Sequence, residues 1–79
     1  MTTEKNKQAA LAALKRARGD VASLTDWLQM ELDRQSDAEV TWATVGSLEH
    51  VRDNLIETLA FFSGVTIREI QRSLDELYS

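Results

Sequence analysis

Three carboxylates recur at intervals of four residues in the second half of the sequence, beside its only histidine. They are Glu49, Asp53 and Glu57, and His50 follows the first of them. On an α-helix this spacing puts the three acids on one face, where their oxygens could hold a hard cation such as Mg²⁺. The same spacing is typical of the solvated face of an amphipathic helix, and this second interpretation is favoured.

Other signatures of catalysis are missing from the sequence. One histidine and no cysteine supply too few ligands for a zinc site. The serines lack the Gly-x-Ser-x-Gly pattern of a nucleophile elbow, and the three isolated glycines form no phosphate-binding loop. We therefore expect no catalytic residue, no metal and no cofactor, and we predict that the protein is not an enzyme.

Apolar side chains at steps of three and four residues predict a long first helix, from about residue 4 to residue 35. We call this set the N-terminal stripe; it consists of Leu14, Ala17, Val21, Leu24 and Leu28. Gly19 weakens a helix by roughly 1 kcal/mol relative to alanine, but it falls on the opposite face and leaves the phase of the stripe intact. The alternative is a break at Gly19 and a new helix that starts near Ser23.

Two further helices are expected after a polar connection at residues 36–39. The second, of about 20 residues, should begin at a cap from Thr41 or Thr44 and end at Gly64. The third should begin at a capping box formed by Thr66 and Glu69. The apolar stripe of the second helix comprises Val45, Leu48, Val51, Leu55, Leu59 and Phe62, widened by Ile56.

These elements predict an all-α, three-helix protomer in a single domain, residues 1–79, that forms a dimeric helical bundle. A core from only 79 residues supplies about 3–5 kcal/mol, and oligomerisation is a common reinforcement for so small a chain. The long first helix should leave part of its stripe uncovered. We expect the dimer interface to contain Leu14, Val21, Leu24, Trp27 and Leu28. Most of the aromatic residues, including Trp42 and Phe61, are expected in the core.

Charge is unevenly distributed along the chain. Residues 1–18 carry five basic side chains and one acidic one, whereas residues 19–79 carry four arginines and twelve acids. Two antiparallel copies of the first helix would bring these opposite charges together, although a solvated face without a partner explains the pattern equally well. An acidic body disfavours nucleic acid as the main partner.

Residues 55–74 resemble the helix-turn-helix motif. Ala60 stands at the position of its small residue, Gly64 at its turn, and Val65, Ile70 and Leu74 at its buried positions. The resemblance implies a recognition helix from Thr66 to Leu77, with Thr66, Arg68, Gln71 and Arg72 reaching DNA. The alternative is a tight corner that only folds the third helix onto the second, on a helix that also carries Glu69, Asp75 and Glu76.

Wholly apolar runs such as Leu59–Phe62 are far shorter than the about 20 residues of a membrane helix, and the N-terminus lacks the apolar segment of a secretory signal. We therefore expect a cytoplasmic protein without a membrane partner.

The predicted function is a small, non-catalytic protein-interaction or adaptor module that acts as a homodimer, with another protein as a further partner. The alternative is a DNA-binding transcriptional regulator.

Overall fold

The computed structural model describes residues 2–78, with the side chains of residues 3–78. These residues form three α-helices and a short 3₁₀ turn, and none of them forms a β-strand. The helices are α1 (Thr2–Asp33), α2 (Trp42–Ser63) and α3 (Ile67–Leu77), with the 3₁₀ turn at Asp37–Glu39. The prediction of an all-α fold with one long, one medium and one short helix is confirmed.

The chain divides into two units, Met1–Asp37 and Ala38–Ser79. The first consists of α1 and the turn that ends it. The second contains the rest of the 3₁₀ turn, α2 and α3. The single domain expected over residues 1–79 stays a prediction.

Helix α1 is continuous for 32 residues and passes through Gly19 without a break. A β-carbon added at Gly19 would meet nothing within 4 Å, so this glycine lies in open space on the helix surface. At 1.5 Å per residue α1 is about 48 Å long. The predicted continuity is therefore confirmed, and the alternative of a second helix starting near Ser23 is wrong.

Helix α2 has a well-defined cap at each end. At its start, the Thr41 hydroxyl oxygen accepts a hydrogen bond from the backbone N–H of Thr44, with N and Oγ1 3.2 Å apart. At its end, Gly64 takes the left-handed conformation (φ 79°) and its N–H donates to the carbonyl of Ala60 over 3.0 Å. Of the two expected caps, the structure uses Thr41, and the stop at Gly64 is confirmed.

Helix α3 follows after only three residues, 64–66. The Thr66 hydroxyl oxygen caps it by accepting a hydrogen bond from the N–H of Glu69 over 3.1 Å. This is the bond that a Thr-x-x-Glu sequence predicts for a helix start. Because the connection is this short, α3 begins beside the end of α2, and the two helices pack against each other.

The described part of the second unit buries one side chain from each helix, Ile56 of α2 and Ile70 of α3. Ile56 was expected only at the edge of the α2 stripe. Leu55 and Leu59, which belong to that stripe, are about half exposed. The face of α2 that meets α3 is therefore rotated towards Ile56 and away from most of the predicted stripe.

The expectation that most aromatic residues lie in the core is wrong. Trp42, Phe61, Phe62 and Tyr78 all expose most of their side chains, and Phe62 is 89% exposed. Trp42 and Tyr78 lie at the start of α2 and the end of α3, and Phe61 and Phe62 lie in the last turn of α2, beyond Ile56.

None of the helices in the part of the chain that the structure describes is long and apolar enough to cross a membrane.

Candidate interaction surface

The N-terminal stripe lies along one face of α1 and is open to solvent. Leu14 is 50% exposed, Val21 is 62% exposed and Leu24 is 61% exposed. Ala17 is also exposed, whereas Leu28 is half-buried. Covering a half-exposed leucine recovers roughly 1 kcal/mol, so a partner that covered the whole stripe would gain several kcal/mol. Exposed apolar surfaces of this kind are typical of interaction sites.

Trp27 lies at the edge of the stripe and is fixed to its own helix. Its indole N–H donates to Oε1 of Glu31, one turn later, with the two atoms 3.2 Å apart. The same carboxylate oxygen lies 3.3 Å from a guanidinium nitrogen of Arg34. Trp27 is 62% exposed, so its ring is available to a partner.

Two leucines extend the apolar surface beyond the predicted interface. Leu32 follows Leu28 by four residues and is partly exposed, and Leu11 lies about one turn before Leu14. The same spacing of three and four residues that identified the stripe would have identified both. The exposed apolar surface therefore extends from the first third of α1 almost to its end at Asp33.

A shallow groove forms a second apolar surface, between α2 and α3. Its lining residues are Leu59, Ser63, Val65, Glu69, Ile70, Ser73, Leu74 and Leu77. Val65 and Ile70 thus line the same groove on either side of the Thr66 cap. The groove belongs to the corner between the two helices and lies apart from the exposed aromatic side chains of Phe61 and Phe62.

The four residues assigned to DNA recognition are all exposed, but they do not have equivalent surroundings. Thr66 uses its hydroxyl oxygen to cap α3. Gln71 lines a separate shallow groove beside Ile56 of α2. Arg68 and Arg72 are exposed, as are Glu69, Asp75 and Glu76 on the same helix. The helix–turn–helix connectivity agrees with the resemblance, and DNA binding stays a prediction.

The carboxylates on α2 do not assemble into a metal site. Within residues 2–78, no group of three or more histidine, aspartate or glutamate side chains is placed so that it could hold a metal ion. Asp53 accepts hydrogen bonds from the neighbouring Arg52, and the ring nitrogen Nε2 of His50 lies 3.1 Å from the side-chain amide of Asn54. The described geometry therefore favours a solvated helix face for Glu49, Asp53 and Glu57.

The described part of the chain buries no polar or charged side chain. Enzymes commonly tune an acid or a base by desolvating it in a pocket, and these residues offer no such environment. Comparison with known proteins shows no matching protein-family model, no matching curated protein and no matching solved structure.

Proposed function

We propose that the protein is a small, non-catalytic protein-interaction module that acts as a homodimer through the N-terminal stripe of α1. One observation carries the proposal. An unbroken helix of 32 residues exposes an apolar face, made mostly of leucine and alanine, for most of its length. Amphipathic helices in proteins owe most of their stability to packing of that face.

The polar contacts along α1 are too weak to replace such packing. Arg16 and Asp20 form an ion pair at 3.5 Å in which both side chains are mostly exposed. Gln29 donates to Asp33 over 3.0 Å, also at the surface. Contacts of this kind stabilise a helix by about 0.2–0.5 kcal/mol each. Covering the stripe stabilises α1 more than these contacts do, and a second copy of the chain is one partner that can cover it.

Substitution of Val21 by glutamate tests the proposal. Val21 lies in the middle of the stripe, and a charge there must be buried or must keep the helices apart. We expect the dimer of the natural chain, seen by sedimentation equilibrium at micromolar concentration, to become a monomer in the Val21→Glu variant. Helical content, measured by circular dichroism at matched concentration, should fall as well, because α1 loses the packing of its apolar face.

Met30→Glu is the matched control. Met30 has the same exposed fraction as Val21, 62%, and lies on the opposite face of α1. The control variant should therefore remain dimeric. A natural chain that sediments as a monomer at these concentrations contradicts the proposal. Loss of the dimer in both variants would instead show that the stripe has no special role.

A further inference from the structure

We infer that the partner of α1 is a second copy of α1 in the antiparallel orientation, with Lys7 of each copy facing Glu31 of the other. The inference rests on the proposed homodimer and adds its orientation and register. Its first support is the charge along α1. Before Gly19 the helix carries five basic residues and Glu4, and after Gly19 it carries Asp20, Asp26, Glu31 and Asp33. Only an antiparallel pair brings each half against its opposite charge.

The second support is the repeat of the stripe itself. Its positions follow a heptad, in which the first and fourth residues face a partner helix. The first positions are Lys7, Leu14, Val21 and Leu28, and the fourth positions are Ala10, Ala17, Leu24 and Glu31. Seven of these eight side chains are exposed and Leu28 is half-buried. We call these eight positions the seam. The seam is apolar in its centre and carries one base, Lys7, near one end and one acid, Glu31, near the other.

An antiparallel pair places first positions against fourth positions. With the symmetry axis level with Gly19, Leu14 faces Leu24 of the second copy. In the same register each small residue meets a larger one, since Ala17 faces Val21 and Ala10 faces Leu28 of the second copy. At each end of the paired region, Lys7 of one copy then faces Glu31 of the other. Size and charge are both complementary in this single register.

A parallel pair of the same helices is worse in both respects. It stacks each residue on its own copy, so Ala10 and Ala17 face alanines and leave gaps that apolar packing penalises. It also places Lys7 against Lys7 and Glu31 against Glu31, and like charges in a helical seam disfavour the pairing. The seam residues therefore favour the same orientation as the charge along α1.

The carboxylate of Glu31 is already directed by its own helix. Trp27 donates to its Oε1 atom over 3.2 Å, and Arg34 lies 3.3 Å from the same oxygen. A carboxylate has capacity for about four hydrogen bonds, so a lysine ammonium can join these two donors. Trp27 flanks the seam, and in the antiparallel register it meets Ala13 of the second copy, a side chain small enough to admit the indole.

In this register, like charges repel each other beside the symmetry axis. Arg18 meets Arg18 of the second copy there, and Asp20 meets Asp20. These positions flank the seam and stay exposed, so solvent and salt screen their repulsion. Asp20 is also neutralised within its own helix by Arg16, 3.5 Å away. The apolar layers on both sides of the axis outweigh a repulsion of this kind.

Charge reversal at the two outer positions tests the pairing. In the antiparallel dimer, Lys7→Glu creates two pairs of facing acids, so dimer affinity should fall about tenfold or more, and the double variant Lys7→Glu with Glu31→Lys should recover most of it. In a parallel dimer the single substitution only exchanges one like-charged pair for another. Sedimentation equilibrium of the full chain measures both affinities.

Lys5→Glu is the matched control for Lys7→Glu. Both substitutions put an acid near the start of α1, where it suits the helix dipole, so neither should weaken the helix itself. Lys5 lies outside the seam, and its reversal should change the dimer affinity less than twofold. Equal losses in Lys5→Glu and Lys7→Glu would overturn the assigned register.

A distance measurement tests the orientation independently. The chain contains no cysteine, so a spin label on Thr3→Cys is specific. Two labels should lie about 48 Å apart in the antiparallel dimer and about 10 Å apart in a parallel one. A dimer with the short distance overturns the inference and leaves the proposed function standing. A chain that sediments as a monomer overturns the proposed function itself.

Discussion

Helices α1 and α2 carry apolar stripes of the same spacing, but they differ in what is buried. Helix α2 buries Ile56 beside Gln71 and Leu74 of α3, whereas each stripe side chain of α1 is at least partly exposed. The connection of three residues after α2 forces α3 onto it. The connection after α1, residues 34–41, is longer.

The difference shows that an apolar stripe identifies a surface that needs cover without identifying what covers it. In the second unit the cover is a neighbouring helix of the same chain, held there by the turn at Gly64. In α1 we assign it to a second copy. Three substitution experiments sharpen this comparison between a unit with an internal core and a helix for which we propose a partner.

The largest effect is expected at the core of the second unit. Ile56→Ala removes one of its two buried side chains, and we expect the free energy of unfolding of residues 42–77 to fall by about 2–3 kcal/mol. The adjacent Leu55 is 49% exposed, and Leu55→Ala should cost less than about 1 kcal/mol. Amide hydrogen exchange, resolved by residue, measures both losses. Similar losses in the two variants would show that Ile56 is not the centre of this core.

A smaller effect, of opposite sign in the two regions, is expected from replacing glycine by alanine. Gly64 has φ 79°, so Gly64→Ala should destabilise the α2–α3 corner by about 1 kcal/mol. Gly19 is helical and has open space around it, so Gly19→Ala should stabilise α1 by up to about 1 kcal/mol. Exchange rates of the amides in each helix distinguish the two. Destabilisation of α1 by Gly19→Ala would mean that a partner needs close approach at that glycine.

The smallest effect is expected at the surface ion pair of α1. Arg16→Ala removes the contact with Asp20, in which both side chains are mostly exposed, and should change the stability of α1 by no more than about 0.5 kcal/mol. Thermal unfolding followed by circular dichroism at low and high salt measures it. A loss above about 1 kcal/mol, the upper end for an exposed pair, would show that polar contacts, and not a covered stripe, hold this helix.

Local structure was predictable because its causes are local. The Thr66 cap, the stop at Gly64 and the continuity of α1 through Gly19 each depend on residues within one or two turns of the helix. The burial of Ile56 was not predictable in the same way. Periodicity places Leu55, Ile56 and Leu59 on one broad apolar face, and only the direction in which α3 leaves the turn decides which of them it covers.

The candidate site shows the same limit. The sequence located the N-terminal stripe and the edge position of Trp27, and the structure places these residues on one open face of α1. The prediction that places the aromatic residues of the second unit in a core is wrong, because size and apolarity favour a core and an interface alike. Trp42 and Phe61 lie at positions that α3 does not reach within the second unit.

The sequence by itself determined where the helices begin and end and which residues share a face, because caps, glycines and a 3.6-residue period act over a few residues. It also determined the charge reversal along α1. The tertiary structure alone decided which apolar side chains are covered, because burial depends on the path of a second helix through space. It assigned Ile56 and Ile70 to a core and left most of the leucines of α1 exposed.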